Sequence, residues 1–269
     1  MTVVADPAVE PRLRRPPLRS AAGIVLPLAT LAVLVLLWEL ATRLFDWPIW
    51  LVPGPDDVGR ALFDNRSLLP RHFRVTLVET VGGFALAIAV GIPLAVAIAS
   101  SRLLERTIYP VLLGLNAVPK IAIAPILVLW MGFGYGPKIV VTFLLCIFPI
   151  VISTATGLKS TPPELVELVR SLDASSLELF RRVRFPSALP HIFVGLKVAI
   201  SLAVIGAVIG EFVGAEAGLG HVIIASGSNI DTSLAFGAMV LLGVLSVALF
   251  YALVGLERLL VPWARYEER

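Results

Sequence analysis

Six stretches of this sequence remain apolar for 20 residues or more: roughly Ala22–Leu44, Leu77–Ser100, Ile108–Phe133, Ile139–Leu158, Leu189–Val213 and Leu234–Leu260. The hydrocarbon core of a bilayer is about 30 Å thick, and about 20 residues of helix cross it. Six windows of that length in one chain leave little room for anything but a polytopic membrane protein. Composition agrees, since 58% of the 269 residues are hydrophobic and 15% charged, with a mean hydropathy of +0.92. A soluble domain carries roughly 25% charged residues. Backbone groups in lipid must be satisfied internally, and no alternating ten-residue strands occur, so the spans are helices. The expected fold is all-α: a six-helix transmembrane bundle over residues 22–260, with tails at 1–21 and 261–269.

Several function classes fall away at once. Cys146 is the single cysteine and sits in an apolar run, so neither a disulfide framework nor a cysteine metal site is expected. His72, His191 and His221 are far apart and form no HExxH pair, and no nucleophile–base set is visible. The net charge is +3, with the basic residues flanking apolar segments, so nucleic-acid binding is not expected. Arg12, Arg14, Arg15 and Arg19 precede the first window, which is too long for a signal peptide. The positive-inside rule then places both termini in the cytoplasm. The weak point is the loop 45–76, which puts Arg60, Arg66, Arg71 and Arg74 on the outer side.

Within the spans, the departures from plain apolarity carry the information. Pro119 and Pro125 predict a third span kinked or broken midway. Gly206, Gly210 and Gly214 form a double GxxxG that allows close helix contact, either within one subunit or between two. Charges inside spans cost about 2.5–3.5 kcal/mol each on insertion scales and are functional candidates by default. Lys120 lies near the middle of span three, beside Pro119 and just after Asn116, and Glu211 lies near the outer end of span five. Lys120 has two readings: a pathway residue that meets a small anion at the helix break, or a structural partner of a carboxylate such as Glu211. Lys197 and Glu257 are close enough to span ends to snorkel, and Glu39 and Glu79 lie toward the outer ends.

The longest polar loop between spans, 159–188, has a regular pattern. Thr161-Pro162-Pro163-Glu164 places a hydroxyl, two prolines and an acid where a helix N-terminus wants them. Leu165, Leu168, Val169 and Leu172 then fall on one face. Ser175-Ser176-Leu177-Glu178 is a second capping box, opening a helix through Leu179, Phe180 and Val183 that Pro186 is expected to stop. Two capped helices joined by a tight corner predict a protruding knob whose apolar stripe either packs back on the bundle or lipid, or docks a cytoplasmic partner.

Residues 164–175, Leu179–Val183 and Phe185–Pro190 resemble the EAA loop of ABC importer permeases. Val52–Pro55, Gly91–Pro93, Ala117–Lys120, Ala124–Pro125, Phe148–Pro149, Gly210–Phe212 and Gly218–Gly220 resemble the nitrate/sulfonate/taurine branch of that family. Two departures stand out: the family's Glu-Ala-Ala reads Glu167-Leu168-Val169, and its corner glycine is Asp173. That corner plausibly needs a positive φ, which aspartate tolerates better than most residues.

The resemblance implies a type I importer permease in the bacterial inner membrane, paired with a second copy of itself or a close relative. Each copy would grip one ATP-binding subunit, two per transporter, and an external binding protein or lipoprotein would deliver the solute. The implied coupling surface is Glu164, Glu167, Arg170, Ser171, Leu172, Asp173, Ala174 and Ser175. Pro149, Pro186 and Pro190 are candidate hinges on the arms leaving it. No cofactor is expected on this chain: it has no GxxxxGK[ST] loop, so ATP and Mg would be bound by the partner ATPase. The implied solute is a sulfonate, taurine, nitrate or similar anion, with a vitamin or pyrimidine precursor as the other class; a secondary transporter or channel working without ATP is the alternative.

Overall fold

A computed structural model describes residues 22–263. The N-terminal tail expected at 1–21 and all but the first residues of the C-terminal tail lie outside the described residues. Twelve helical segments follow in chain order: α1 (Ala22–Leu44), α2 (Pro55–Asp64), α3 (Leu69–Ser100), α4 (Arg102–Ala117), α5 (Lys120–Met131) and α6 (Tyr135–Lys159), then α7 (Pro163–Ser171), α8 (Ser176–Leu179), a π turn (Phe180–Arg184), α9 (Phe185–Phe212), α10 (Leu219–Ser228) and α11 (Thr232–Leu260). Five of these helices, counting α8 through α9 as one, are long and apolar enough to cross a membrane. The pair α4–α5 makes a sixth if it is taken as one broken span.

The centre of the bundle is α3, α6 and α9, which pack on one another along their lengths. Small residues make this contact close: Ala87, Val141, Ala199, Ala203 and Ala207 are fully buried. A Cβ at Gly206 would lie 2.7 Å from Thr142 Cα, and one at Gly210 would lie 2.9 Å from Lys138 Cα. Those glycines therefore seat α9 directly on the backbone of α6, while Gly214, just past α9, abuts the side-chain ring of Phe133. Of the two uses of the double GxxxG, packing within one chain is the one observed. The thiol of Cys146, buried in this centre, meets the Ala199 carbonyl at 3.2 Å.

The outer elements are held more lightly. From Val25 to Leu37 the side chains of α1 are apolar or small and exposed, as for a helix that faces lipid. It is anchored near one end, where Trp38 Nε1 donates to the Pro53 carbonyl at 3.1 Å and the Trp38 ring lies 6.1 Å from Phe236 of α11. Besides α7 and α8 of the polar loop, two short helices lie outside the six windows: α2, too polar to span, and α10, apolar but only 10 residues long.

Span three is broken midway, as its prolines predict: α4 and α5 meet at 91°, with Val118 and Pro119 extended between them. Two local expectations are corrected. Thr161 does not cap α7: the residue before a proline is pushed from the helical region, so the N-cap moves to Pro162 and helix begins at Pro163. Pro186 does not stop the helix after the knob, because the preceding turn widens to π geometry. There the Phe185 N–H donates to Phe180 O, five residues back, and the helix passes through Pro186 into α9.

Candidate functional site

At one end of the bundle, α7 and α8 form the protrusion between α6 and α9. No residue of α7 is buried, and its stripe does not fold back on this chain: Leu168 is 58% exposed and Leu172, at the tip, 74%. Glu164, Glu167, Arg170, Ser171, Asp173 and Ser175 are exposed beside it, with Ala174 partly buried. Asp173 turns the corner at φ +54°, the left-handed conformation expected for the residue in the glycine position. Its N–H donates to Arg170 O at 3.0 Å. The second capping box forms as expected: Glu178 N–H donates to Ser175 Oγ at 3.3 Å, and Ser175 N–H donates to Glu178 Oε2 at 3.0 Å. Buried Leu179 and the tilted Phe180–Phe185 ring pair fix the second helix to the bundle, while Lys159 pairs with Glu105 of α4 at 2.6 Å. The knob is thus rigid at its base and apolar at its tip.

Halfway along the chain, the α4–α5 break carries Asn116, Pro119 and Lys120. Lys120 opens α5, and its ammonium folds back to donate to the Asn116 carbonyl and, at 3.0 Å, to Asn116 Oδ1. The side chain is partly buried and borders a cavity of about 100 Å³ with Leu112, Ile123, Leu144 and Phe148. A Lys120–Glu211 pair is not formed: Glu211 is hydrogen-bonded elsewhere, and among the described residues the Lys120 ammonium has only the two Asn116 oxygens as partners, beside an apolar cavity.

Glu211 belongs to a buried polar cluster at the end of the bundle opposite the knob. Lys138 of this cluster and Lys159 at the knob are 21 residues apart on α6, about 31 Å at helical rise. Glu79 is 0% exposed, Glu211 2% and Lys138 5%, and Lys138 Nζ lies 3.1 Å from Glu79 Oε1. Thr76 Oγ1 donates to Glu211 Oε1 at 2.6 Å and accepts from Leu219 N–H at 2.8 Å. Gly220 N–H donates to Glu211 Oε2, and Gly218 N–H donates to His72 Nδ1 at 3.0 Å. Gly218 has φ +125°, and a Cβ there would fall 2.2 Å from the Glu211 carboxyl carbon, so this turn admits no side chain. The cluster clamps the start of α10 to α3 and α9. Above it opens a cavity of about 390 Å³ bordered by Arg71, Phe133, Tyr135 and Glu216.

Of the residues singled out from sequence, the structure groups the loop residues in the knob and brings Glu211 to the far-end cluster; Lys120 and Asn116 stand apart from both. Pro149 and Pro190 lie inside α6 and α9 without breaking them. Lys197 and Glu257 pair with each other at 2.8 Å. The members not singled out, His72, Thr76 and Lys138, were legible only in part. His72, Thr76, Glu79, Thr80 and Gly83 share one face of α3 at three- and four-residue spacing, a polar stripe inside an apolar helix. Lys138 falls one residue outside the apolar window Ile139–Leu158, whereas α6 starts at Tyr135 and includes it.

A family model described as "Binding-protein-dependent transport system inner membrane component" matches residues 77–266. The formylaminopyrimidine transport permease protein ThiX of Halalkalibacterium halodurans is 37% identical, over 87% of this chain and 93% of its own length. The riboflavin transport system permease protein RibX of Chloroflexus aurantiacus is also 37% identical, over 95% and 96%. The taurine transport system permease protein TauC of Escherichia coli is 27% identical, over 89% and 90%. Among solved structures, a chain of the inward-facing MetNI methionine ABC transporter aligns at a TM-score of 0.65 and 23% identity, covering 73% of this chain and 98% of that one.

Proposed function

The chain belongs to the binding-protein-dependent transport system inner membrane component family and is a permease subunit of an ABC importer; from that premise we propose that its solute is an aromatic nitrogen heterocycle, a vitamin or a pyrimidine precursor of one. The observation that carries this is the gradient among relatives. Those named for formylaminopyrimidine and riboflavin are 37% identical across nearly the whole chain, against 27% for the one named for taurine. The assembly is a pair of these permeases with two ATP-binding subunits on their knobs and an external binding protein at the opposite end. Both termini face the cytoplasm, as the arginine distribution favours. ATP and Mg belong to the partner.

A second reading rests on Lys120. An ammonium held beside a small cavity at a helix break, with no carboxylate partner among the described residues, suits a sulfonate, nitrate or similar anion. Uptake separates the two. A strain lacking this chain is expected to lose growth on a pyrimidine or flavin precursor as sole source while growing normally on taurine and alkanesulfonates. Failure on a sulfonate alone, rescued by the intact gene, overturns the heterocycle reading. In that case Lys120→Met should abolish the rescue, while under the heterocycle reading the same variant keeps its substrate preference.

A further inference from the structure

We propose that the cavity at the end of the bundle away from the knob is a binding site for a flat, amino-bearing heterocycle, which lies against Phe133 and Tyr135 and is hydrogen-bonded by the charged groups of the wall. This site takes the solute class argued above and so depends on the heterocycle reading. Three elements enclose it. Arg71 and Glu79 share one face of α3, eight residues and about 12 Å apart at helical rise, so that wall runs from rim to floor. Tyr135 and Lys138 share a face of α6 at three-residue spacing, and the turn 214–217 after α9 closes the third side with Glu216.

The volume, about 390 Å³, falls within the roughly 300–1,000 Å³ of small-molecule sites. The aromatic side is set in advance of any ligand. Phe133 and Tyr135 flank Gly134 in the short link between α5 and α6, and Gly134 takes φ +143°, where a side chain would be strained. The edge of the Phe133 ring rests on Gly214, where a Cβ would come 2.8 Å from Cε1, yet the ring is 75% exposed and leaves most of its surface open. Tyr135 is half exposed beside it. The floor is polar: Lys138 is nearly buried, and fully buried Glu79 holds its ammonium at 3.1 Å. An ammonium has three N–H donors, and Glu79 is its one ion-pair partner among the described residues, so donors remain for a ring nitrogen or carbonyl oxygen.

The charges of the wall select against a bare anion. Two basic side chains, Arg71 and Lys138, are matched by two acidic ones, Glu79 and Glu216, so a sulfonate or nitrate would meet as many acidic groups as basic ones. An amino-bearing heterocycle uses both kinds. Its ring nitrogens accept from the basic groups, its amino group donates to a carboxylate such as exposed Glu216, and its π face stacks on an aromatic ring. The cavity beside Lys120 is a different place: it holds about 100 Å³ and shares no lining residue with this one.

The test uses the full-length permease in lipid nanodiscs, with 4-aminopyrimidine as the probe and saturation-transfer NMR as the readout. The probe should bind saturably, and taurine should not. Tyr135→Ala should weaken binding about tenfold or more, while Tyr135→Phe, which keeps the ring, should stay within about twofold of the wild type. Glu216→Lys, an exchange at an exposed position, should weaken it as well. Wild-type affinity in both Tyr135→Ala and Glu216→Lys overturns the site and leaves the heterocycle reading standing. Absence of a saturable signal from 4-aminopyrimidine also overturns the site, and growth on the precursors then decides the reading by itself. A saturable signal from taurine with none from 4-aminopyrimidine overturns both.

Discussion

Asp173 stands where the family resemblance expects glycine, and it takes the backbone conformation that glycine would take. A non-glycine residue in that region pays Cβ strain of about 1 kcal/mol, less for Asp and Asn than for others. We expect Asp173→Gly to preserve uptake and to keep or raise the yield of ATPase recovered with the purified permease; complete loss of transport would contradict the corner assignment. This residue was readable because a motif fixed its place. The pairings of Glu79, Thr76 and Lys138 were not, because their partners are distant in sequence: Thr76 bonds to Glu211 and to the α10 turn, and Glu79 of α3 pairs with Lys138 of α6. Their side chains identify them as costly within a span, and only the packing of α3 on α6 and α9 discloses what offsets the cost.

At the scale of elements, the close seating of α9 on α6 depends on two hydrogen atoms in place of side chains. Gly206→Leu or Gly210→Leu would force the helices apart against backbone, and overpacking of this kind costs about 1–3 kcal/mol or more. The expected result is loss of folded, detergent-extractable protein, measured by size-exclusion chromatography with a fluorescent tag. Gly59→Ala is the control: α2 leaves open space at that position, and the exchange should be neutral or slightly stabilising. Apolar runs marked the long helices well, and α1 coincides with its window. The detail lies where proline chemistry decides. Pro119 separates two helices as expected, whereas Pro162 moves a cap by one residue and Pro186 is absorbed by a π turn. Proline signals an interruption of the hydrogen-bond ladder without saying whether the chain bends, stops or widens its turn.

For the whole molecule, the knob and the buried polar cluster stand at opposite ends of the bundle, joined by long helices. The α6 and α9 helices each run from the polar clamp at one end to the knob at the other, so a displacement of the knob is carried through the body of both. Leu172 is the most exposed part of that knob's apolar stripe, and Leu172→Glu should abolish co-purification of an ATP-hydrolysing partner while leaving the permease folded in the membrane. An unchanged pull-down would move the docking surface off the tip. The single thiol lends itself to a different use. Cys146 is sealed among α3, α6 and α9, out of reach of aqueous maleimides, so the unmodified chain is already a cysteine-silent background. A dye or spin label attached through one introduced cysteine at the knob would report from that position alone, allowing the coupling stroke to be timed without first rewriting the core.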